Sequence, residues 1–374
     1  MEARFIPNDF PSLFALDDPE QLLKQALQDI ITDLPPREDY FGVKVSGFWS
    51  GPTGLAYLFL QASVRQPDLK IDGNDCLSWA KRYLEGTRGE LELTADRCGI
   101  GSEKLAYEAV RACVSKDLDQ VKVFTSSIPE IVAGKEYPNE ILHGRAGTLY
   151  LLRLLRHWVP GSAELVEESI QAVSEAILSD GPEWTWHGKP YLGAVHGDIS
   201  IVTQLVLTTP SLAGRVEEKL VGLLDLQVPS GNWPILAGRL DHLLVQFCHG
   251  APGFVHSLLA LRPHFPGLRA KIDMAIEKGQ QCVWEEGLLV KQPSICHGIF
   301  GNALALPRGP KRDHFLAVAT PTKMSELKQK EKRLFEPADY GTKYAILTGY
   351  LPGASWAWLV SSDESPGLIY YTDV

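Results

Sequence analysis

Two stretches of this chain pair the side chains that soft metals prefer. Gln246-Phe247-Cys248-His249-Gly250-Ala251-Pro252-Gly253 and Ser294-Ile295-Cys296-His297-Gly298-Ile299-Phe300-Gly301 each place Cys-His directly before Gly-x-x-Gly. Zinc takes thiolate and imidazole readily, and a catalytic zinc keeps one coordination position open. Cys248, Cys296 and His297 would supply three ligands and leave the fourth position to water or a substrate. The spacing is far longer than a zinc finger's, so this reading needs a fold that carries both turns to one place. Otherwise the two cysteines are small buried apolar residues of a helical core. His249 is either an alternative ligand or a group beside the bound substrate.

Other polar residues precede similar glycine turns. His196, in Val195-His196-Gly197, could act as general acid or base, because an imidazole titrates near neutral pH; the bland alternative is a histidine bonded to a neighbouring helix end. Glu140, four residues before Gly144, could orient a histidine or handle a proton, or it is a solvated acid near a helix dipole. His143 has only its position to recommend it. Cys76, Cys98, Cys113 and Cys282 lack paired histidines and read as structural. His187, His242, His256, His264 and His314 carry no assignment.

The elements that must position these residues recur. The first glycines of the turns fall at 51, 99, 144, 197, 250, 298 and 349, at intervals of 48, 45, 53, 53, 48 and 51 residues. A period near fifty without strand signals predicts seven copies of one helical unit. Each unit holds an apolar helix after the glycines, such as Leu55–Leu60, and an amphipathic one before the next turn, such as Ser162–Leu178 or Ser211–Leu226. Apolar helices belong inside and amphipathic ones outside, which gives an inner ring wrapped by an outer ring. All inner helices then start at one rim, where His143, His196, Cys248, Cys296 and His297 converge. An open solenoid would instead spread them along an edge. Asp17-Asp18-Pro19-Glu20 is a strong helix start, and Pro307 and Pro310 should cut the sixth inner helix short. The Lys323–Arg333 run reads as a solvated helical face.

Composition sets the frame. The chain has 374 residues, 45% apolar and 22% charged, with a formal net charge of −10. That charge argues against a nucleic-acid partner bound through phosphate neutralisation. No apolar run is long enough to span a bilayer, so no transmembrane segment is expected. The N-terminus has no apolar signal core, and six cysteines in so long a chain form no disulfide framework. The expected localisation is cytoplasmic, with peripheral attachment to the plasma membrane left open.

Taken together, Pro138–Gly147, Leu192-Gly193-Ala194-Val195-His196-Gly197, Cys248–Gly253 and Cys296-His297-Gly298 with Gly301-Asn302 resemble the motifs of the LanC-like proteins, eukaryotic relatives of the bacterial lanthionine synthetase C cyclases. The resemblance implies an all-α fold, an α/α toroid of seven helical hairpins with Gly-x-x-Gly turns. It would occupy residues 41–374 as one domain, after an entry segment at 1–40. It implies one zinc ion on Cys248, Cys296 and His297, with His196 matching the histidine that handles protons and Glu140, the second catalytic candidate, falling where the bacterial cyclases carry an acidic residue. Lys291, five residues before Cys296, matches a lysine implicated in glutathione binding, and His249 would lie beside the substrate. The implied activity is thioether formation, adding glutathione thiolate to dehydroalanine or dehydrobutyrine residues of a dehydrated protein or peptide acceptor. The alternative is a non-catalytic zinc- and glutathione-binding or protein-interaction module, motivated by departures in the fourth and seventh turns. Gly197-Asp198-Ile199-Ser200 lacks the second glycine, and Gly349-Tyr350-Leu351-Pro352-Gly353 is stretched.

Overall fold

The computed structural model describes residues 4–240, 243–337 and 345–374, and these contain sixteen α-helices, numbered here in chain order. Seven follow the glycine turns: α2 (Pro52–Arg65), α4 (Glu103–Ser115), α7 (Arg145–Trp158), α9 (Asp198–Thr208), α11 (Ala251–Leu261), α13 (Ile299–Ala305) and α16 (Tyr350–Leu359). Several are buried on nearly every face, α9 and α13 almost throughout, as their unbroken apolar sequences require. Each packs against the next, and α16 packs back on α2, so the ring is closed.

The outer helices show the amphipathic pattern. In α8 (Ala163–Ser179), Val166, Ile170, Val173 and Ile177 are buried at helical spacing while the opposite face is exposed. The helices α3 (Cys76–Glu85), α5 (Leu118–Thr125), α8, α10 (Ala213–Asp225), α12 (Arg269–Glu286) and α14 (Pro310–Val318) each pack on the inner helix preceding them. The seventh partner comes from the other end of the chain. The helix α1 (Pro19–Asp33), capped by the Asp18 carboxylate accepting from Gln21 N–H, lies along α16. A short α6 (Ile128–Ala133) rests on α8, and α15 (Pro321–Lys330) is the charged run, mostly exposed. The architecture is the α/α toroid of seven hairpins. A two-residue strand pair, Lys70–Ile71 with Asn74–Asp75, was not expected from the sequence. Among the described residues no helix is long and apolar enough to cross a membrane.

The rim is held by main chain. N–H groups of Phe48, Cys98, Ile141, Cys248, Cys296 and Ile346 donate to carbonyls of Ile100, His143, Val195, Cys296, Leu347 and Trp49, each on an adjacent turn. Between the fourth and fifth turns, Gly193 packs so closely on the Cys248 carbonyl that a Cβ there would collide with it. Gly51, Gly144, Gly197, Gly250, Gly298 and Gly349 are the residues at which six inner helices begin, whereas α4 starts at Ser102, whose Oγ accepts the Leu105 N–H.

Two terminal segments complete the molecule. Residues 4–16 run along α12 and α14, pinned by Ile6 N–H to the Leu288 carbonyl and Phe14 N–H to His314 Nδ1. Residues 368–374 enter the centre of the inner ring, where Tyr370 and Tyr371 are buried and the Asp373 carboxylate accepts the Tyr57 and Tyr150 hydroxyls at 2.6 and 3.0 Å.

Candidate functional site

The fifth and sixth turns bring the paired motifs together. Cys248 N–H donates to the Cys296 carbonyl at 3.1 Å, which sets the two cysteines side by side. One ligand atom from each of Cys248, Cys296 and His297 lies within 4.8 Å of the other two, and all three residues are buried. A hydrogen bond from the Cys296 thiol draws the Cys248 thiol well below its ordinary pKa, while the same contact pushes Cys296 well above it. Two sulfurs and an imidazole, gathered where an uncompensated charge is costly, fit a soft divalent cation such as zinc. Gly250 holds the turn open at φ 109°, a conformation that L side chains rarely adopt. Asn232 then accepts the first N–H of α11, from Ala251, at 2.7 Å.

Lys291 reaches the sulfurs through an intermediary. Its Nζ donates to Gln246 Oε1 at 3.3 Å, and Gln246 Nε2 donates to Cys248 Sγ at 3.2 Å. Lys291 and Gln246 also line a cavity of about 780 Å³ with Arg4, Phe5, Leu244 and Glu286.

On the third and fourth turns Glu140 is 2% exposed, so it is not a solvated acid. Its carboxylate accepts the N–H groups of Leu142 and His143, both at 2.6 Å. Those two donors compensate its charge without a cation. Its Oε2 stands 3.4 Å from His196 Nδ1, close enough for an ion pair, although Nδ1 makes no hydrogen bond. Trp186 lies flat on the His196 imidazole, with centroids 3.8 Å apart and planes at 4°. The rings continue toward the cysteines: His249 is 6.3 Å from His196 and 5.8 Å from Tyr191. Burial holds His249 and His143 below the usual imidazole pKa.

The rim thus gathers the expected residues into two sets, Cys248, Cys296 and His297 with Lys291 behind them, and Glu140 with His196. His249 stands between the sets, outside the three-residue cluster. Sequence reasoning missed Gln246, Asn232 and Trp186. Gln246 stood inside the quoted motif, but Trp186 sits in a loop with no periodicity to mark it. Other groups fall away from the site. The Cys76, Cys98 and Cys282 thiols are pushed up to about 12 by burial. His256 Nε2 meets the Gly301 carbonyl at 2.9 Å, and Asp198 pairs with Lys219 at 2.9 Å. His242 lies outside the described residues.

Comparison with known proteins agrees with this arrangement. The chain matches the family model "Lanthionine synthetase C-like protein" over residues 13–309. Glutathione S-transferase LANCL1 of Danio rerio is 31% identical over 276 residues, covering 68% of this chain and 66% of that protein, just under two thirds of its length. Among solved structures, nisin cyclase superposes with a TM-score of 0.59 at 15% identity, covering 93% of this chain and 95% of that one, a likeness of fold. With the match running through the third to sixth turns and both Cys-His motifs, the chain belongs to the lanthionine synthetase C-like family.

Proposed function

We propose that the protein forms thioethers, adding the thiol of glutathione to dehydroalanine or dehydrobutyrine residues of a protein or peptide, with one zinc ion on Cys248, Cys296 and His297. The observation that carries this is the buried cluster of those three residues on the rim that also bears Glu140 and His196. The relatives named for glutathione transfer and for cyclisation support the same class of chemistry. When bound, zinc would hold a thiol as thiolate, the form that attacks, at neutral pH.

The chain's own residues supply the rest. Lys291 and Arg4 offer positive charge in the adjoining cavity, suited to the carboxylates of glutathione. The thiolate sulfur bonds to the β-carbon of the dehydro residue, and the π electrons move onto the α-carbon and carbonyl as an enolate. His196, oriented by Glu140, gives its proton to the α-carbon and is reprotonated by solvent. His249 lies beside the path between the two groups. The net change is thiol plus alkene to thioether.

The test is metal analysis of the wild type beside Cys248→Ala and Cys296→Ala, then mass spectrometry of a dehydroalanine peptide incubated with glutathione. One zinc per chain, lost in both variants together with thioether formation, is the expected result. Wild type without stoichiometric zinc, or Cys248→Ala with full activity, overturns the proposal. Zinc and glutathione bound with no thioether formed would leave a binding module.

A further inference from the structure

The His196 ring is constrained from two directions by parts of the chain far from the cysteines. Glu140 stands at its Nδ1 edge, and Trp186 covers one face with nearly parallel planes. The side chain keeps 16% exposure, yet Nδ1 itself is buried, so the exposed part of the ring lies on its other atoms. The indole is delivered by a tight hairpin. Trp186 and Lys189 exchange main-chain hydrogen bonds of 3.0 and 3.1 Å around His187 and Gly188, whose φ values are 48° and 68°. Two positive φ values in succession make the two-residue turn whose twist matches that of the flanking strands. Tyr191 meets the indole edge-on at 5.6 Å and lies 6.2 Å from His196, beside the stacked pair. Trp186 also borders a polar cavity of about 550 Å³ that includes Asn139 and His143.

We propose that Trp186 is a positioning residue: its hairpin clamps the His196 ring so that Nδ1 stays against Glu140 and Nε2 faces the acceptor. This rests on the thioether-forming reading, and it assigns a task to a residue that touches no sulfur and no metal ligand. The carboxylate 3.4 Å from Nδ1 can only accept, so it favours the neutral tautomer with the proton on Nδ1 and leaves Nε2 as the nitrogen to be protonated and to donate. Without the indole the ring is free to rotate about its side-chain bonds, and both the tautomer and the donor position are lost. Proton transfer is sensitive to such misplacement.

The test uses zinc-loaded full-length protein, with Trp186→Ala and Trp186→Phe beside the wild type. In Trp186→Ala, kcat should fall on the order of 10- to 100-fold with the KM for glutathione unchanged. Trp186→Phe, which keeps a flat ring, should recover to within about threefold, as aromatic stacking survives the exchange. In parallel, ring-nitrogen NMR of His196 should show one tautomer in the wild type and Trp186→Phe, and an averaged signal in Trp186→Ala. The proposal is overturned if Trp186→Ala keeps wild-type kcat and a single tautomer, or if Trp186→Phe is as defective as Trp186→Ala. If the wild type itself forms no thioether, the functional reading fails, and the tautomer measurement alone decides the role of Trp186.

Discussion

At the scale of single residues, the two sets on the rim should separate under substitution. Glu140→Gln keeps the shape but replaces one acceptor oxygen by a donor facing the Leu142 and His143 N–H groups. The expected cost is about 1–2 kcal/mol of stability, from a buried donor left unsatisfied. Because the carboxylate also stands 3.4 Å from His196 Nδ1, the proposed mechanism predicts that kcat falls on the order of 100-fold, the lower range for losing acid–base assistance. Zinc content should stay at the wild-type level, since no atom of Glu140 belongs to the cysteine cluster. Metal analysis, thermal unfolding and single-turnover kinetics on one preparation check all three, and a loss of zinc in Glu140→Gln would show that the sets are not independent. Gln246→Leu probes the opposite side. It removes the amide that joins Lys291 to Cys248 Sγ, so the KM for glutathione should rise several-fold with kcat less affected, as expected when uniform binding is lost.

At the scale of elements, the N-terminal arm is held by a histidine whose protonation would release it. His314 Nδ1 accepts the Phe14 N–H at 2.9 Å, which places the ring proton on Nε2, facing Asn8 Oδ1 at 3.1 Å. Burial pushes His314 down from 6.5 to about 4, so it is neutral in the fold at pH 7. Between those values the unfolded chain binds the extra proton and the folded one does not. The stabilisation is therefore complete above about pH 6.5 and is lost as pH falls through about 4. Proteolysis or hydrogen exchange at residues 6–14 should accelerate over that window, and His314→Gln, which retains a polar side chain but cannot titrate, should flatten the response. The arm matters to the site because the Arg4 carbonyl takes the Val290 N–H, next to Lys291. This level also shows what the sequence could reveal. The inner helices were legible because a helix buried on all faces must be apolar throughout, and the glycine turns marked their starts. The sixth, Ile299–Ala305, stops short of Pro307 as the prolines required. The arm was not legible, since its partners on α12 and α14 are set by tertiary packing nearly three hundred residues away. Trp186 was hidden for the same reason, since a loop has no period.

At the scale of the molecule, the ring is fastened by two long-range closures that no local pattern announces: α1 on α16, and residues 368–374 inside the inner ring. The second closure ties four inner helices to one segment. Tyr57 and Gln61 of α2 and Tyr150 of α7 donate to the Asp373 carboxylate, Gln204 of α9 and Arg153 of α7 donate to the Tyr371 carbonyl, and Ser257 of α11 meets the Tyr371 hydroxyl at 2.6 Å. Burial raises the Asp373 carboxyl above the usual carboxylate range, so the protein bears a desolvation cost there that these donors offset. Asp373→Leu would leave both tyrosine hydroxyls and the Gln61 amide short of an acceptor, and should lower stability by about 3 kcal/mol in denaturant titrations. The effect should extend to the rim, because Tyr371 packs edge-on against Phe247 at 5.1 Å and Phe247 directly precedes Cys248. Zinc affinity in Asp373→Leu should therefore weaken under conditions where the ring is still folded, when measured by competition with a chelator. Cys248→Ala should show the reverse pattern, losing the metal while the metal-free protein keeps the stability of metal-free wild type. If Asp373→Leu destabilises the chain and leaves zinc affinity untouched, the central segment fastens the ring alone, and the fifth turn keeps its shape through Gly250, Asn232 and the Cys296 carbonyl without help from below.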